Sequence, residues 1–330
     1  AGPLPKSLSL VLANQIFIAK ADLPQSLANR LIRLAAFQNP EFYKAQAMRL
    51  PVWNKPRIIS CAENFPDHIG LPRGCLNAVL DLLNDNGICP ELQDERLLGR
   101  KIAVKFTNTL RKDQKAAVRG MLKHEVGILC APSAFGKTVT AAALIARRKV
   151  STLVLVHRTE LLRQWQERLT GFLEINEGEL GFIGGGKKKP SGKIDIAVMQ
   201  SLSRREDLAE LLDGYGQIIV DECHHLPAFS FEVILKQAKA RYVVGLTATP
   251  VRRDGHQPII FMQCGPIRHR AARPETVPSQ LEAWPRYLPA PKIPPNSPIQ
   301  EVYRILTNDV KRNHCIAGDV LAAYREGRKV

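Results

Sequence analysis

The chain predicts an α/β fold, a mostly parallel sheet with helices on both faces carrying a phosphate-binding loop, preceded by a small α+β module. Three observations predict it. From residue 101 onward, near-continuous apolar segments alternate with helical runs, the pattern of parallel strands buried on both faces. One apolar segment, Ile128-Leu129-Cys130, runs through a turn closing on Gly136-Lys137-Thr138 into a helical run. Another, Ile218-Ile219-Val220, ends in the acidic pair Asp221-Glu222. Ligands of such sheets bind at the carboxyl ends of the strands.

Residues 1–97 form the α+β module. Residues 7–18 read as strands around an Ala13-Asn14-Gln15 break. Pro24 to Phe37 reads as a helix with Leu27, Leu31, Leu34 and Ala35 on one face, and Glu41 to Leu50 as a second helix. Arg57 to Cys61 is a short strand, and Cys75 to Asn84 a helix closed by Asn86-Gly87. Tyr43, Met48 and Trp53 are read as packing residues rather than a base-stacking platform. Nothing in this module is expected to be catalytic.

Residues 98–256 are expected to form the nucleotide-binding lobe. Its strands centre on Leu129, 153–156, 194–198, 218–220 and 242–246, with helices over 139–147, 160–172, 205–213 and 229–239. After Pro250 the chain turns Pro-rich, so 257–298 reads as a connector with a hairpin at Ile259-Ile260-Phe261-Met262. Residues 299–330 read as two helices beginning a second lobe that the sequence cuts off.

In the loop, backbone groups of Pro132, Ser133, Ala134, Phe135 and Gly136 are expected to surround phosphates at a helix N-terminus. Lys137 would reach the β/γ oxygens and Thr138 would hold Mg²⁺. The common pattern has Gly where Ala131 stands, and small flexible residues where Ala134 and Phe135 stand. An ordinary strand–turn–helix connection can also carry Gly-Lys-Thr, so the downstream segments decide. There Asp221 is placed to hold Mg²⁺ through its water shell, and Glu222 to orient and deprotonate an attacking water. His224 and His225 do not form a metal pair, because neighbours in an extended segment point to opposite faces.

The formal charge is +16, with 23 basic against 15 acidic residues over 101–250 and 13 against 7 over 251–330. That excess points to a polyanion, with nucleic acid favoured over a basic but unengaged surface on charge alone; DNA is the expected partner ahead of RNA, a choice that charge does not make. Gly184-Gly185-Gly186-Lys187-Lys188-Lys189 reads equally as a solvated turn or a phosphate-touching loop. No apolar run reaches the length of a membrane span. Seven scattered cysteines without a Cys-x-x-Cys pair favour reduced thiols in the cytoplasm over disulfides or zinc.

Asp221-Glu222-Cys223-His224 after a strand, followed by Gly245-Leu246-Thr247-Ala248-Thr249-Pro250, resembles the first RecA-like lobe of superfamily 2 helicases and translocases, the DEAD/DEAH-box group, over about 101–256. The resemblance implies a P-loop ATPase that uses Mg-ATP hydrolysis to move along or remodel nucleic acid. It makes Leu110-Arg111-Lys112-Asp113-Gln114 the adenine-reading segment, with Gln114 as the base contact. Val154 to Leu161 looks like motif Ia and Met199-Gln200-Ser201-Leu202 like motif Ib, so Arg158, Thr159, Gln200 and Ser201 are the strand-binding candidates. Thr159 also fits a helix N-cap, and a helix N-terminus beside Arg158 suits an anion. Trp165 on that helix reads as core. His224, Thr247, Thr249 and Arg252 are the residues expected to couple the nucleotide site to the track.

Within the superfamily the chain looks like the XPB-type group, in which the first loop Gly is often missing. Arg252-Arg253-Asp254 stands where that group carries Arg-Glu-Asp, and Pro72-Arg73-Gly74 resembles the DNA-engaging domain ahead of the motor. The string including Ala36-Phe37-Gln38-Asn39-Pro40 and Phe261 to Pro266 is similar to helicase-like proteins of bacterial mobile-element (TOTE-type) conflict systems. The family places an arginine finger in its second lobe, which implies slow hydrolysis by these residues alone. A nucleotide-gated DNA-binding module with little turnover is the alternative.

Overall fold

The computed structural model describes residues 3–21, 23–176, 178–225, 228–250, 254–272, 285–288 and 291–327. Its first elements are β1 (Ser7–Leu12), β2 (Ile16–Ala19), α1 (Gln25–Leu34), β3 (Ala36–Gln38), α2 (Pro40–Ala47), β4 (Ile58–Ser60), β5 (Glu63–Asn64), β6 (His68–Leu71), α3 (Leu76–Asp85) and β7 (Cys89–Asp94). Leu8, Leu10 and Leu12 of β1 are buried while Ser7 and Ser9 are exposed, the period-two pattern of a strand with one face on a core. The strands form a sheet ordered β5-β6-β2-β1-β7, with α1 and α3 burying Leu27, Leu31, Val79 and Leu83.

One reading of this region is corrected. Trp53 is 87% exposed, Met48 55% and Tyr43 40%, so these are surface residues, not packing residues. Tyr43 lies within α2, Met48 at its C-cap and Trp53 in the loop leading to β4; the apolar face of this short helix is already supplied by Phe42 and Ala45.

The next elements are β8 (Lys105–Phe106), α4 (Lys112–Leu122), β9 (Val126–Cys130), α5 (Lys137–Arg148), β10 (Thr152–Val156), α6 (Thr159–Phe172), β11 (Leu173–Glu174), β12 (Leu180–Gly184), β13 (Lys187–Lys189), β14 (Ile194–Val198), α7 (Met199–Leu202), α8 (Leu208–Asp213), β15 (Gln217–Val220), α9 (Ala228–Gln237), β16 (Tyr242–Thr247), α10 (Gln257–Cys264) and β17 (Ile267–Arg270). Eight strands form one sheet in the order β13-β12-β14-β10-β15-β16-β9-β17. Seven run parallel, and β13 adds an antiparallel edge.

Alternate residues of each strand serve different cores, as the pleat requires. Leu153, Leu155, Ile218, Val220 and Val243 join a cluster with α9, α10 and the core of the first sheet. Val154, Val156, Ile219, Val244 and Leu246 join the other, with α4, α5 and α6. Module and lobe therefore share apolar packing, and Ala1–Pro274 is one compact unit. Arg73 strengthens the join: its buried guanidinium donates to the carbonyl oxygens of Ala240 at 2.9 Å and Asn14 at 3.1 Å, and also to that of Ala238. It is therefore an internal clamp here, not a surface group.

Residues 259–262 lie in helix α10 rather than a hairpin. Pro258 sits in its first turn and Gly265 follows it at φ +81°, the arrangement that starts and stops helices. Four adjacent apolar residues imitate a strand because this helix is buried on most sides. In the second unit, Glu275–Val330, the described helices are α11 (Ile299–Asn308) and α12 (Val310–Arg325). The Asp309 side chain caps α12 by accepting from the Arg312 N–H at 3.0 Å. All seven cysteines are free thiols, and no described helix is long and apolar enough to cross a membrane.

Candidate active site

Three neighbouring strands end together. Gly245 of β16 pairs with Val220 of β15, and Thr247 of β16 with Cys130 of β9, so the segments following all three emerge at one edge of the sheet. The Ala131 N–H continues the ladder by donating to the Thr247 carbonyl at 2.9 Å.

The loop from Ala131 to Gly136 explains its own unusual residues. Phe135 turns its ring into the core, at 1% exposure, and leaves only its backbone in the loop. Its carbonyl accepts from Gln114 Nε2 at 2.8 Å and Arg111 Nη2 at 2.7 Å. Gln114 Oε1 accepts from the Arg111 N–H at 3.0 Å, so this buried amide ties the start of α4 to the loop with both ends engaged. Ala134 takes φ +63° and Gly136 φ +89°; a Cβ on Gly136 would lie 2.6 Å from Gln114 Nε2, so only Gly fits. Pro132 has no N–H and shapes the turn. Helix α5 then starts at Lys137 without a side-chain cap, leaving the N–H groups of its first turn for an anion, with Thr138 half-buried beside them.

Lys137 Nζ lies 3.2 Å from Glu222 Oε1 and donates to the Ala131 carbonyl at 3.3 Å. Glu222 adopts φ +44°, a left-handed conformation costly for a side chain with a Cβ, which turns its carboxylate toward the loop lysine. Its Oε2 is buried without a hydrogen-bond donor among the described residues and lies 3.3 Å from His224 Nδ1. Asp221 accepts from the Glu222 N–H at 3.0 Å through Oδ1 and from the Trp165 indole N–H at 2.7 Å through Oδ2. Burial raises the Asp221 pKa; the indole hydrogen bond and Lys137 oppose that shift, while the neighbouring Glu222 adds to it.

A hydroxyl chain links this acid pair to β16. Thr247 Oγ1 donates to the Thr249 carbonyl at 2.7 Å and lies 2.8 Å from His224 Nδ1. With the hydroxyl proton directed at Thr249, Nδ1 of His224 carries the N–H. Thr249 takes part through its backbone, its side chain being exposed. Arg252 lies outside the described residues.

A cleft of about 440 Å³ lined by Ser133, His157, Arg158, Glu222, His224 and Ala248 brings Arg158 beside the acid. Arg158 is the N-cap of α6 and Thr159 its first residue, so the helix starts one place earlier than the sequence suggested; both side chains are exposed, and Arg158 makes no capping bond. Gln200 and Ser201 are exposed on the short α7. The Gly184-Gly185-Gly186 turn joins these segments. A Cβ on Gly185 would meet Thr159 Cγ2 at 2.7 Å, and one on Gly184 would meet Ser201 Oγ at 3.1 Å.

Two participants escaped the sequence reading. Trp165 packs as a core residue, as its spacing with Leu162 and Leu169 implies, yet its N–H holds Asp221. The only signal was that a buried indole needs an acceptor. Arg111 was read as part of a segment, not as a ligand of the loop carbonyl. Among the described residues no group of three or more His, Cys, Asp and Glu side chains could hold a metal.

Residues 107–252 match the family model described as "Type III restriction enzyme, res subunit". The chain is 32% identical over 205 residues to the "DNA 3'-5' translocase XPB2" of Sulfurisphaera tokodaii, covering 62% of this chain and 42% of that one. It is 34% identical over 169 residues to the "DNA 3'-5' helicase XPB" of Mycobacterium tuberculosis, covering 49% and 30%. The chain thus spans less than half the length of these relatives. The UvsW helicase of bacteriophage T4 superposes with a TM-score of 0.60 at 17% identity, covering 79% of this chain and 99% of that one. That likeness extends over more of the chain than the lobe alone and agrees with an α/β fold of RecA-like type.

Proposed function

We propose that this chain is the ATP-binding motor lobe of a superfamily 2 DNA helicase or translocase, coupling Mg-ATP hydrolysis to movement on nucleic acid. The observation that carries it is the convergence of Lys137, Asp221, Glu222, His224 and Thr247 at one sheet edge, linked by contacts of 2.8 to 3.3 Å. The residues fit a Mg-nucleotide: a helix start without a side-chain cap, a loop lysine, a helix hydroxyl and one buried carboxylate. Thr138 and Asp221 would hold Mg²⁺, which supplies charge neutralisation at the phosphates. Lys137, released from Glu222, would meet the β/γ oxygens, and Glu222 would take the proton of the attacking water.

His224 Nδ1 faces both Glu222 and Thr247, so a change at the acid reaches the end of β16 through one imidazole. Arg158, Thr159, Gln200 and Ser201 form the strand-binding side, with the glycine turn between them. Among the described residues Lys137 is the cation paired with Glu222, and a second lobe is expected to supply the arginine for the transition state. Hydrolysis by these residues alone is accordingly slow, since such an arginine is worth about 10³ to 10⁵ in rate. Relatives named as DNA enzymes favour DNA as the track.

The alternative, a nucleotide-gated DNA-binding module, is favoured by the Lys137–Glu222 pair, which holds base and phosphate ligand together. ATP turnover with and without DNA and RNA separates the two, comparing this chain, a version extended through a second lobe, Lys137→Ala and Glu222→Gln. The motor reading expects polymer-stimulated turnover in the extended form, lost in Lys137→Ala and reduced about 10² to 10⁴-fold in Glu222→Gln. Glu222→Gln without functional effect would decide for the binding module.

A further inference from the structure

The loop between α2 and β4 exposes what a folded chain normally covers. Within sixteen residues, Trp53 is 87% exposed, Ile58 59%, Met48 55%, Leu50 54% and Tyr43 40%. Exposed apolar side chains concentrated in so short a stretch mark a candidate interaction site. The loop is also held in shape. Lys55 N–H donates to the Val52 carbonyl at 3.0 Å, closing a turn with Trp53 and Asn54 at its centre. Leu50 N–H donates to the Ala45 carbonyl at 2.9 Å, and the buried Asn39 side chain donates to the Pro56 carbonyl at 2.8 Å. Lys55 is fixed on Glu41 at 3.0 Å, and Arg57 lies 5.5 Å over the Phe42 ring. An indole in a pinned turn gives up little conformational freedom on binding.

Charge selects the partner. Residues 42–62 contain no Asp or Glu, while Lys44, Arg49, Lys55 and Arg57 interleave with the exposed apolar side chains. Aromatic faces alternating with cations suit bases and phosphates together. The position agrees. The β3–β4 ribbon and α2, which bear this loop, pack on the residues just before α10: Phe37 meets His256 edge-on at 6.2 Å, and a Cβ on Gly255 would lie 2.6 Å from Pro40 Cγ. The loop thus belongs to the same compact unit as Thr247 and Thr249.

We infer that this loop, with Trp53 as its stacking residue and Lys44, Arg49 and Arg57 as phosphate contacts, is a second nucleic-acid surface that takes unpaired bases. The inference rests on the reading of the chain as a nucleic-acid motor. Its test uses the full chain with labelled oligo(dT) and oligo(rU) of about 20 nucleotides, by anisotropy and tryptophan quenching at low and moderate salt. Wild type, Trp53→Ala, Trp53→Phe and Arg158→Ala are compared, with melting curves to show each is folded. Trp53→Ala is expected to weaken binding about five- to tenfold and remove most of the quenching, with Trp53→Phe recovering much of the affinity. If Arg158→Ala weakens binding while Trp53→Ala matches wild type, the surface is overturned and the motor reading stands. If wild type binds neither oligomer, both fail. Binding to phosphatidylserine vesicles that is lost in Trp53→Ala, with oligomer affinity intact, would overturn it in favour of a membrane surface.

Discussion

Trp165 and Trp53 sit in opposite chemical settings within one compact unit. Trp165 is 2% exposed, and its indole N–H is satisfied by a carboxylate that the sheet delivers to the same point. Trp53 is 87% exposed on a turn fixed by its own backbone. In the first region both carboxylate oxygens of Asp221 find their donors within the chain. The second is rigid but chemically unfinished. The difference teaches that burial fixes a residue's partner inside the chain, while rigidity without burial leaves the partner outside it.

The comparison presumes that the two regions belong to one cooperative unit, and Arg73 is where that breaks. Its guanidinium serves carbonyls from the module and from the lobe, and burial pushes its pKa down to about 10. Arg73→Met keeps the bulk and strands those carbonyls, so a loss of about 3 kcal/mol in unfolding free energy is expected. Urea unfolding followed by both far-ultraviolet dichroism and tryptophan emission reads it. An unchanged midpoint would mean that the regions are stabilised independently.

Trp165→Phe sharpens the contrast from the other side. The ring packing survives and the donor to Asp221 Oδ2 goes. A hydrogen bond to a charged group is worth about 1.5 to 3 kcal/mol, and loss of such an outer partner weakens metal affinity about 10- to 100-fold. Nucleotide binding measured across a Mg²⁺ titration should therefore shift by about tenfold, while binding without Mg²⁺ stays near wild type. A purely structural role would lower the melting temperature and leave the Mg²⁺ dependence in place.

The lobe was legible because its chemistry is local. Strands read as apolar runs, and Lys137, Asp221 and Glu222 announce themselves by following them. Phe135 was not legible, since the sequence cannot show that its ring faces inward while its carbonyl faces the loop. Thr159 slipped by one place, because whether a residue caps a helix or opens it depends on a single ψ angle. Helix α10 imitated a strand because burial on most sides removes helical periodicity. Tyr43, Met48 and Trp53 were misread because exposure is a tertiary property that residue type predicts only on average. The β17 strand went unread for a similar reason: Ile267-Arg268-His269-Arg270 becomes a strand by pairing with β9.

The smallest expected effect lies at the join itself. Glu125, just before β9, takes Arg96 Nη2 at 2.7 Å on one oxygen and Arg241 Nε at 2.7 Å on the other, and Arg96 also holds Asp94 at 2.8 Å. Burial alone would raise the Glu125 pKa, but the hydrogen bonds from Arg241 and Arg96 outweigh it and hold the carboxyl below its ordinary value. The Arg96 hydrogen bond, the largest cause, does the same to Asp94, against a smaller opposing effect of burial. A folded pKa below the unfolded one means stability that is fully present above about pH 4 to 5 and lost as pH falls through the folded value. Glu125→Gln should therefore cost about 0.5 to 1 kcal/mol at pH 7, reduced by solvent screening because the side chain is 36% exposed. Below the folded pKa the wild type has lost the same interaction, so the gap in denaturation midpoints should close on acidification. A gap of equal size at pH 7 and pH 3 would assign the effect to packing rather than to charge.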